Sequence, residues 1–470
     1  MTTVTKADTG WARFRASFQA GVLAGIPDHL GRLSWGAERI EAAQRDGLRR
    51  LLAHACAHSP FHRQRLAGID CAGVVPADLA GLPVMTKADM MAAAGDVFTD
   101  RRLSPGAVER ALAATGAEPV PVLGRYLALA TGGSTGQRGV FVYDPAGKAG
   151  FIISIIRPLL ARLAAAGGIP AGGLPMAMVG AASAVHATGA AAAETAGPGM
   201  PLRILPVPVT LPWRQIVDRL NTLQAPGLIG YASALARLAA EQRAHRLHIA
   251  PAMIISTSEA LLPEMRAEIT AAFGVPVVNS FGSTEGLMGT SAPGGDVLMF
   301  NSDMCIAELV DAGNRPVGPG VPSAKVLVTN LYNLVQPLIR YELSDSFVRV
   351  PSDSGPGHLL ARVQGRADEV FHYQAGELHP HVIRSVMVQS PEVADYQVRQ
   401  TRTGIEADIV AAGGASPEAL RRRLADALAR SGLGQPDVTV RIAGDLARNA
   451  DSGKLRRFVP LAQTAGHNRG

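Results

Sequence analysis

The stretch Tyr126-Leu-Ala-Leu-Ala-Thr131-Gly132-Gly133-Ser134-Thr135-Gly136-Gln137 joins a β-type apolar run to six consecutive residues that are all Gly, Ser or Thr. Such a loop has little side-chain bulk and many free donors. Its glycines allow positive φ and a close approach of backbone to ligand. Successive N–H groups can form an anion-binding concavity, to which the hydroxyls add donors. A flexible surface loop has the same composition. A Walker loop is excluded, because no Lys-Ser/Thr pair follows the last glycine. Whether the loop binds phosphate therefore turns on what the rest of the chain supplies.

The chain has 470 residues, an apolar fraction of 47%, 5% aromatics and a net charge of +6. That length exceeds the size at which single cores stop growing, so two or more domains are expected. The positive charge is dispersed, and its densest run is Arg421-Arg422-Arg423. That run shares a helical pattern with Leu420, Leu424 and Leu428, which reads as a solvated face rather than a nucleic-acid surface. The three cysteines, Cys56, Cys71 and Cys305, have no CxxC spacing. No disulfide framework or zinc site is expected, and a reducing cytoplasm fits. The first residues lack an apolar signal core. The apolar regions 151–166 and 172–196 are interrupted by Arg157, Arg162, His186 and Glu194. Neither offers the ~20 apolar residues of a membrane span.

Residues 10–70 read as helical, with a break at Ser59-Pro60. Thr86 and Asp89 have the spacing of a capping box. From about 170 to 290, strand patterns alternate with helix patterns: Met176–Gly180, Leu202–Val209 before Trp213–Leu223, Gly227–Gly230 before Ala232–His245, and Ala252–Ser256 before Pro263–Phe273. Val275–Val278 opens a further strand. Repeated βα units predict a largely parallel sheet with helices on its faces. Residues 297–350 carry short β-type runs between Gly/Pro turns, which predicts a small β-barrel or sandwich. The last hundred residues read as a separate α+β module. The fold class is thus α/β: a large N-terminal domain over 1–364 and a smaller C-terminal domain over 365–470.

Four further segments are polar where ligands bind. Asn279-Ser280-Phe281-Gly282-Ser283-Thr284-Glu285-Gly286 follows a predicted strand, and ligands of open α/β sheets bind beyond the carboxyl ends of strands. An aromatic there suits a base, a hydroxyl suits phosphate, and a carboxylate suits Mg²⁺. An ordinary strand-to-helix turn with a capping hydroxyl reads the same way. Asp345, in Arg340-Tyr341-Glu342-Leu343-Ser344-Asp345, suits two vicinal ribose hydroxyls, since an ionised carboxylate accepts from both; an exposed turn also favours Asp. Gly365-Arg366-Ala367-Asp368 reads equally as a linker. Lys454, in Asp451-Ser452-Gly453-Lys454, reads equally as solvated surface.

The order of these segments along the chain resembles that of the adenylate-forming superfamily of acyl-CoA synthetases, adenylation domains and luciferases. The resemblance spans almost the whole chain. It is nearest the phenylacetate–CoA ligase branch, whose Leu-Pro-x-x-Thr-Lys is similar to Leu82–Lys87 and whose Ser-Pro-Phe-Tyr is similar to Ser59–His62. Ser256-Thr257-Ser258-Glu259 stands where the family has Gly-Gly-Glu.

The resemblance implies ATP-dependent activation of a small, aromatic carboxylic acid to an acyl-adenylate with release of pyrophosphate. Transfer to a thiol, of CoA or of a carrier protein, then follows. It implies that Thr131, Gly132, Gly133, Ser134, Thr135 and Gly136 hold the β- and γ-phosphates, and that Phe281 stacks on adenine between Ser280 and Gly282. Thr284 contacts the α-phosphate and Glu285 holds Mg²⁺. Asp345 binds the ribose, Arg366 reaches ribose or phosphate, and Glu259 joins the nucleotide site. Lys454 bridges carboxylate and α-phosphate, Asp368 is the hinge, and His186, Tyr231, Ser256 and Ser258 line the acid pocket. His186 reads equally as a structural histidine.

Three departures bear on the second step. Arg138 replaces a usual Pro, Glu342-Leu343-Ser344-Asp345 replaces Arg-Thr-Gly-Asp, and Gln374-Ala375 replaces Arg-Gly on what is the thiolation surface in family members. An amine acceptor, or nitrite as the activated acid, therefore stays open. So does a degenerate nucleotide-binding regulator, although the retained Gly453-Lys454 argues for catalysis.

Overall fold

The computed structural model describes residues 6–131, 138–351, 355–366, 369–378, 380–390, 392–411, 416–450 and 452–461. These fall into two compact units that part between Gln364 and Gly365.

The larger unit begins with helices α1 (Lys6–Arg32), α2 (Ala37–His58), α3 (Pro60–Arg65), α4 (Lys87–Ala92), α5 (Ala94–Val97) and α6 (Pro105–Ala114). Pro60 cannot continue α2, whose geometry breaks at Ser59. The Ser59 hydroxyl instead accepts the His62 N–H and caps α3. Thr86 and Asp89 form the expected capping box at α4, each side chain accepting the other's backbone N–H.

Strands β1 (Leu127–Ala130) and β2 (Val140–Tyr143) form an antiparallel hairpin around the glycine loop, with Leu127 opposite Tyr143 and Ala130 opposite Val140. Helix α7 (Pro145–Ala165) follows, capped by Asp144, which accepts the Gly147 N–H at 2.7 Å.

The βα series then unfolds as β3 (Leu174–Gly180), α8 (Ala187–Thr195), β4 (Leu202–Pro208), α9 (Trp213–Leu223), β5 (Gly227–Tyr231), α10 (Ala232–Arg243), β6 (Met253–Thr257), α11 (Pro263–Phe273) and β7 (Val277–Gly282). Strands β4, β3, β5, β6 and β7 lie side by side in parallel. Successive side chains of a strand leave opposite faces, and the packing follows that rule. Met176 and Ile229 join the core formed with α1, α7 and α8, which contains Phe14, Phe18, Ile152 and Ala190. Ala177 and Leu228 join the core formed with α9, α10 and α11, which contains Ile216, Leu235 and Ile269. This is a three-layer α/β/α arrangement.

Strands β8 (Met288–Ser291), β9 (Val297–Phe300), β10 (Cys305–Val310), β11 (Lys325–Asn330), β12 (Tyr341–Leu343), β13 (Asp345–Arg349) and β14 (Leu360–Arg366) complete the larger unit. The β-rich region splits between two sheets. Strands β10, β11 and β12 form a three-stranded antiparallel sheet, while β8, β9, β14 and β13 extend the parallel sheet to nine strands. Strand β13 still touches the linker before β11, through Phe347 and Ser323. Buried Arg157 of α7 donates to Asn301 Oδ1 at 2.7 Å and pairs with Asp303 at 2.5 Å, tying that helix to the β9–β10 link.

The smaller unit contains the hairpin β15 (Phe371–Tyr373) and β16 (Gly376–Leu378), helix α12 (Pro380–Val388), strands β17 (Val393–Gln400) and β18 (Gly404–Ala411), helix α13 (Pro417–Leu428), and strands β19 (Asp437–Ile442) and β20 (Phe458–Val459). Its four-stranded sheet runs β19-β18-β17-β20. Phe371, Ile383, Val398, Leu420 and Leu424 build its own core. Among the described residues, no helix is long and apolar enough to cross a membrane.

Candidate active site

The parallel register sets the site. Gly230, Ser256 and Asn279 lie abreast, as do Tyr231, Thr257 and Ser280 one residue later. The loops that continue β5, β6 and β7 therefore leave the carboxyl edge of the sheet together, where open α/β sheets bind ligands.

The loop after β7 is held by its own backbone and by side chains from other elements. Ser283 N–H donates to Leu287 O at 3.0 Å, and Gly286 N–H donates to Ser283 O at 3.0 Å. Side chains from other elements then fix its carbonyls. Tyr143, at the end of β2, donates its hydroxyl to Thr284 O at 2.6 Å. Asn330 Nδ2 donates to Glu285 O at 2.9 Å, Tyr332 Oη to Gly286 O at 3.1 Å, and Cys305 Sγ to Gly286 O at 3.3 Å. Three consecutive carbonyls are thus turned inward. Gly286 sits at φ 106°, and a Cβ there would lie 2.2 Å from Asn330 Nδ2 and 2.4 Å from Tyr332 Oη. Only glycine fits that backbone conformation and that approach.

Glu285 is 5% exposed. Burial raises the hydroxyl pKa values of Tyr143 and Tyr341, and the nearby Glu285 charge raises both further. A buried carboxylate near Tyr143 and Tyr341 fits Mg²⁺, which takes one or two protein carboxylates and completes its shell with phosphate and water. Among the described residues, no group of three or more His, Cys, Asp or Glu stands ready to hold a metal alone.

Phe281 packs edge-to-face on Phe347 at 5.1 Å between centroids, and on Phe300 at 5.9 Å. Phe347 lies two residues after Asp345 on β13, so the ring contact brings the Phe281 and Asp345 segments together. Gly282 is exposed at the strand end.

The hairpin joins the same edge. Thr131 N–H donates to Gly139 O at 2.9 Å, and Thr131 Oγ1 accepts the Gly139 N–H at 2.8 Å, closing the base of the glycine loop. The remaining loop residues, Gly132, Gly133, Ser134, Thr135 and Gly136, lie outside the described residues, as does Asp368. Arg138 pairs with Glu109 of α6. His186 Nδ1 lies 3.1 Å from Ala130 O, and Ala130 N–H donates to Val185 O at 2.9 Å. His186 therefore binds the loop before α8 to the last residue of β1.

The expected acid-pocket residues have varied settings. Tyr231 is fully buried, its hydroxyl 3.3 Å from Thr188 Oγ1. Ser256 lies two residues after Ile254, on the face toward α10 and α11; its buried hydroxyl has no hydrogen-bond partner among the described residues. Ser258 adopts φ 66°, and Glu259 N–H donates back to Thr257 O at 2.9 Å. That tight turn swings Glu259 Oε2 onto the Ser233 N–H at 3.0 Å, in the first turn of α10. A carboxylate there satisfies an orphan donor and complements the helix dipole.

Arg366 ends β14, whose last two residues lie past the division between the units, and in the smaller unit Gln374-Ala375 is the turn between β15 and β16. Lys454 follows a loop closed by Asn449, which accepts Ser452 N–H at 2.8 Å on Oδ1 and donates its own N–H to Lys454 O at 3.0 Å. Gly453 takes φ 68° in that loop.

Tyr143, Asn330, Tyr332 and Cys305 carry no motif of their own, and the sequence reading passes over them. The one local signal is the polar cluster Asn330-Leu-Tyr-Asn333 ending an apolar strand. A cavity of about 390 Å³ lined by His54, His58, Asp100, Tyr126 and Asp144 lies at the other end of the hairpin and contains none of the candidate residues.

No protein-family model matches the chain, and neither does any curated protein sequence. Solved structures do. A 2-hydroxyisobutyryl-CoA ligase in its postadenylation state, bound to 2-HIB-AMP, superposes with a TM-score of 0.66 at 18% identity, covering 91% of this chain and 90% of that one. The same ligase in an open conformation with 2-HIB-AMP and CoA gives 0.56 at 19% identity. ATP-bound MatB from Rhodopseudomonas palustris gives 0.50 at 18% identity, over 69% of this chain and 65% of that one. The chain has the fold of the adenylate-forming ligases.

Proposed function

We propose that this chain is an AMP-forming ligase. It activates a small carboxylic acid with ATP to an acyl-adenylate, then passes the acyl group to a thiol, CoA or a carrier protein. The observation that carries the reading is the Ser283–Gly286 loop. It stands at the carboxyl end of β7, its carbonyls held by Tyr143, Asn330 and Tyr332, with the Glu285 carboxylate beside them. The likeness to ligases crystallised with ATP or with an acyl-AMP and CoA supports it.

In this reading, Thr131–Gly136 cradle the β- and γ-phosphates, Phe281 offers a ring face to adenine, and Asp345 accepts the ribose hydroxyls. Thr284 reaches the α-phosphate, with its backbone fixed through Tyr143, and Arg366 adds a cation at ribose or phosphate. Glu259 contributes to the nucleotide site by holding the start of α10. Mg²⁺ held by Glu285 would offset triphosphate charge. Bringing a carboxylate anion to a triphosphate is repulsive, and Lys454 offsets that repulsion as charge develops. Rotation about Asp368 brings Lys454 in for adenylation and withdraws it for transfer. The phenylacetate–CoA ligase-like motifs favour an aromatic acid, with His186, Tyr231, Ser256 and Ser258 nearest its pocket. Gln374-Ala375, in place of Arg-Gly, keeps an amine acceptor or nitrite activation as the second reading.

Lys454→Ala is expected to lower ATP–pyrophosphate exchange by about 10²-fold or more, with ATP affinity by calorimetry changed little. Unchanged exchange in that variant removes the assigned role. Exchange confined to long-chain fatty acids in a substrate panel removes the aromatic assignment. Parallel assays with CoA, amines and nitrite identify the acceptor.

A further inference from the structure

Cys56 and Cys71 stand fifteen residues apart in sequence, yet their Sγ atoms lie 2.8 Å apart. Cys56 is near the end of α2, and Cys71 lies in the turn that follows α3. Both are partly exposed, whereas Cys305 is buried under the Gly286 loop. A disulfide needs the sulfurs at ~2.05 Å, so bonding asks for less than ~1 Å of approach by side chains already aimed at each other.

We infer that Cys56 and Cys71 are a redox modification site, forming a reversible intrachain disulfide with low-molecular-weight disulfides such as oxidised glutathione. The Cys71 thiolate attacks one glutathione sulfur, making a mixed disulfide and releasing one glutathione thiolate. That thiolate takes the Cys56 proton. Cys56 sulfur then attacks Cys71 sulfur and expels the second glutathione thiolate, which takes up the proton that Cys71 released. Two cysteine thiols are oxidised, and one glutathione disulfide is reduced to two thiols. Burial and the neighbouring Cys71 push the Cys56 thiol up, and the exchange balances in the same way whichever sulfur attacks first.

The cross-link encloses α3, whose side chains hold distant backbone. Ser59 Oγ donates to Asp96 O at 2.8 Å, His62 Nε2 lies 3.0 Å from Pro337 O, and Arg65 donates to Ile339 O at 3.1 Å. Oxidation therefore staples a connector between the N-terminal helices and the segment that leads to Asp345. This inference stands apart from the ligase reading, since it needs only the pair and its exposure.

The test uses the full-length protein, equilibrated with oxidised glutathione or with dithiothreitol, then denatured, alkylated and mapped by mass spectrometry. The expected result is three alkylated cysteines after reduction, but only Cys305 alkylated after oxidation, with a Cys56–Cys71 linked peptide. Oxidation should also raise Tm by a few degrees, and Cys56→Ser should abolish that rise. Three alkylatable cysteines after oxidation, stable glutathione adducts without the internal link, or a link through Cys305 would each overturn the inference.

Discussion

The Tyr143 hydroxyl, at the end of the glycine-loop hairpin, donates to the Thr284 carbonyl at 2.6 Å. One hydrogen bond thus couples the hairpin to the loop that carries Thr284 and Glu285, although the partners are separated by 141 positions. Tyr143 is fully buried and packs its ring against Phe151 at 5.4 Å.

Tyr143→Phe keeps that packing and removes the donor. The Thr284 carbonyl is left unpaired, at a cost of roughly 1–3 kcal/mol. Adenylation should therefore lose its rate more than its affinity, because the residue acts by positioning Thr284. Steady-state exchange kinetics on a folded variant check this. A KM change with kcat intact contradicts it.

Lys148 and Glu194 form a fully buried pair at 2.7 Å between α7 and α8. Burial pushes the lysine down and the carboxyl up, each opposed by the other's charge. Lys148→Met strands the carboxylate and should cost about 3–5 kcal/mol. The double variant Lys148→Met/Glu194→Gln should recover most of that loss, because no unpaired charge remains. Denaturant melts of the two variants decide it, and equal destabilisation refutes the pairing account.

His62 is buried and its Nε2 faces Pro337 O. Burial lowers its pKa to about 4 from 6.5. The unfolded chain therefore binds this proton more readily than the native state between those values. Stability is fully present above about 6.5 and falls as pH drops toward 4, by about 3 kcal/mol for this residue. His29, also lowered to about 4, acts in the same direction. Tm should decline over that window, and His62→Gln should flatten the decline. An unchanged slope in His62→Gln argues against it.

Much of the fold is legible in the sequence because its signals are local. Trp213–Leu223 and Pro263–Phe273 are helices at the expected bounds, since apolar spacing and proline at a first turn act over a few residues. Thr86 and Asp89 cap as their spacing demands. The β-rich region 297–350 is less legible. Its runs show strands but not partners, and β13 joins the large sheet while β10, β11 and β12 make a smaller one. Strand pairing is a long-range choice that alternation alone does not encode.

By itself, the sequence determined the α/β series, the glycine-hydroxyl loop between two strands, and the order of the Phe281, Asp345 and Lys454 segments. Each is written in contiguous residues whose backbone preferences and side-chain chemistry are intrinsic. Only the tertiary structure decided what holds those segments. Tyr143, Asn330 and Tyr332 reach the Thr284–Gly286 carbonyls because sheet packing puts remote strands beside that loop, and a buried carbonyl there needs a donor. The same long-range packing set Cys56 against Cys71, which no spacing rule pairs.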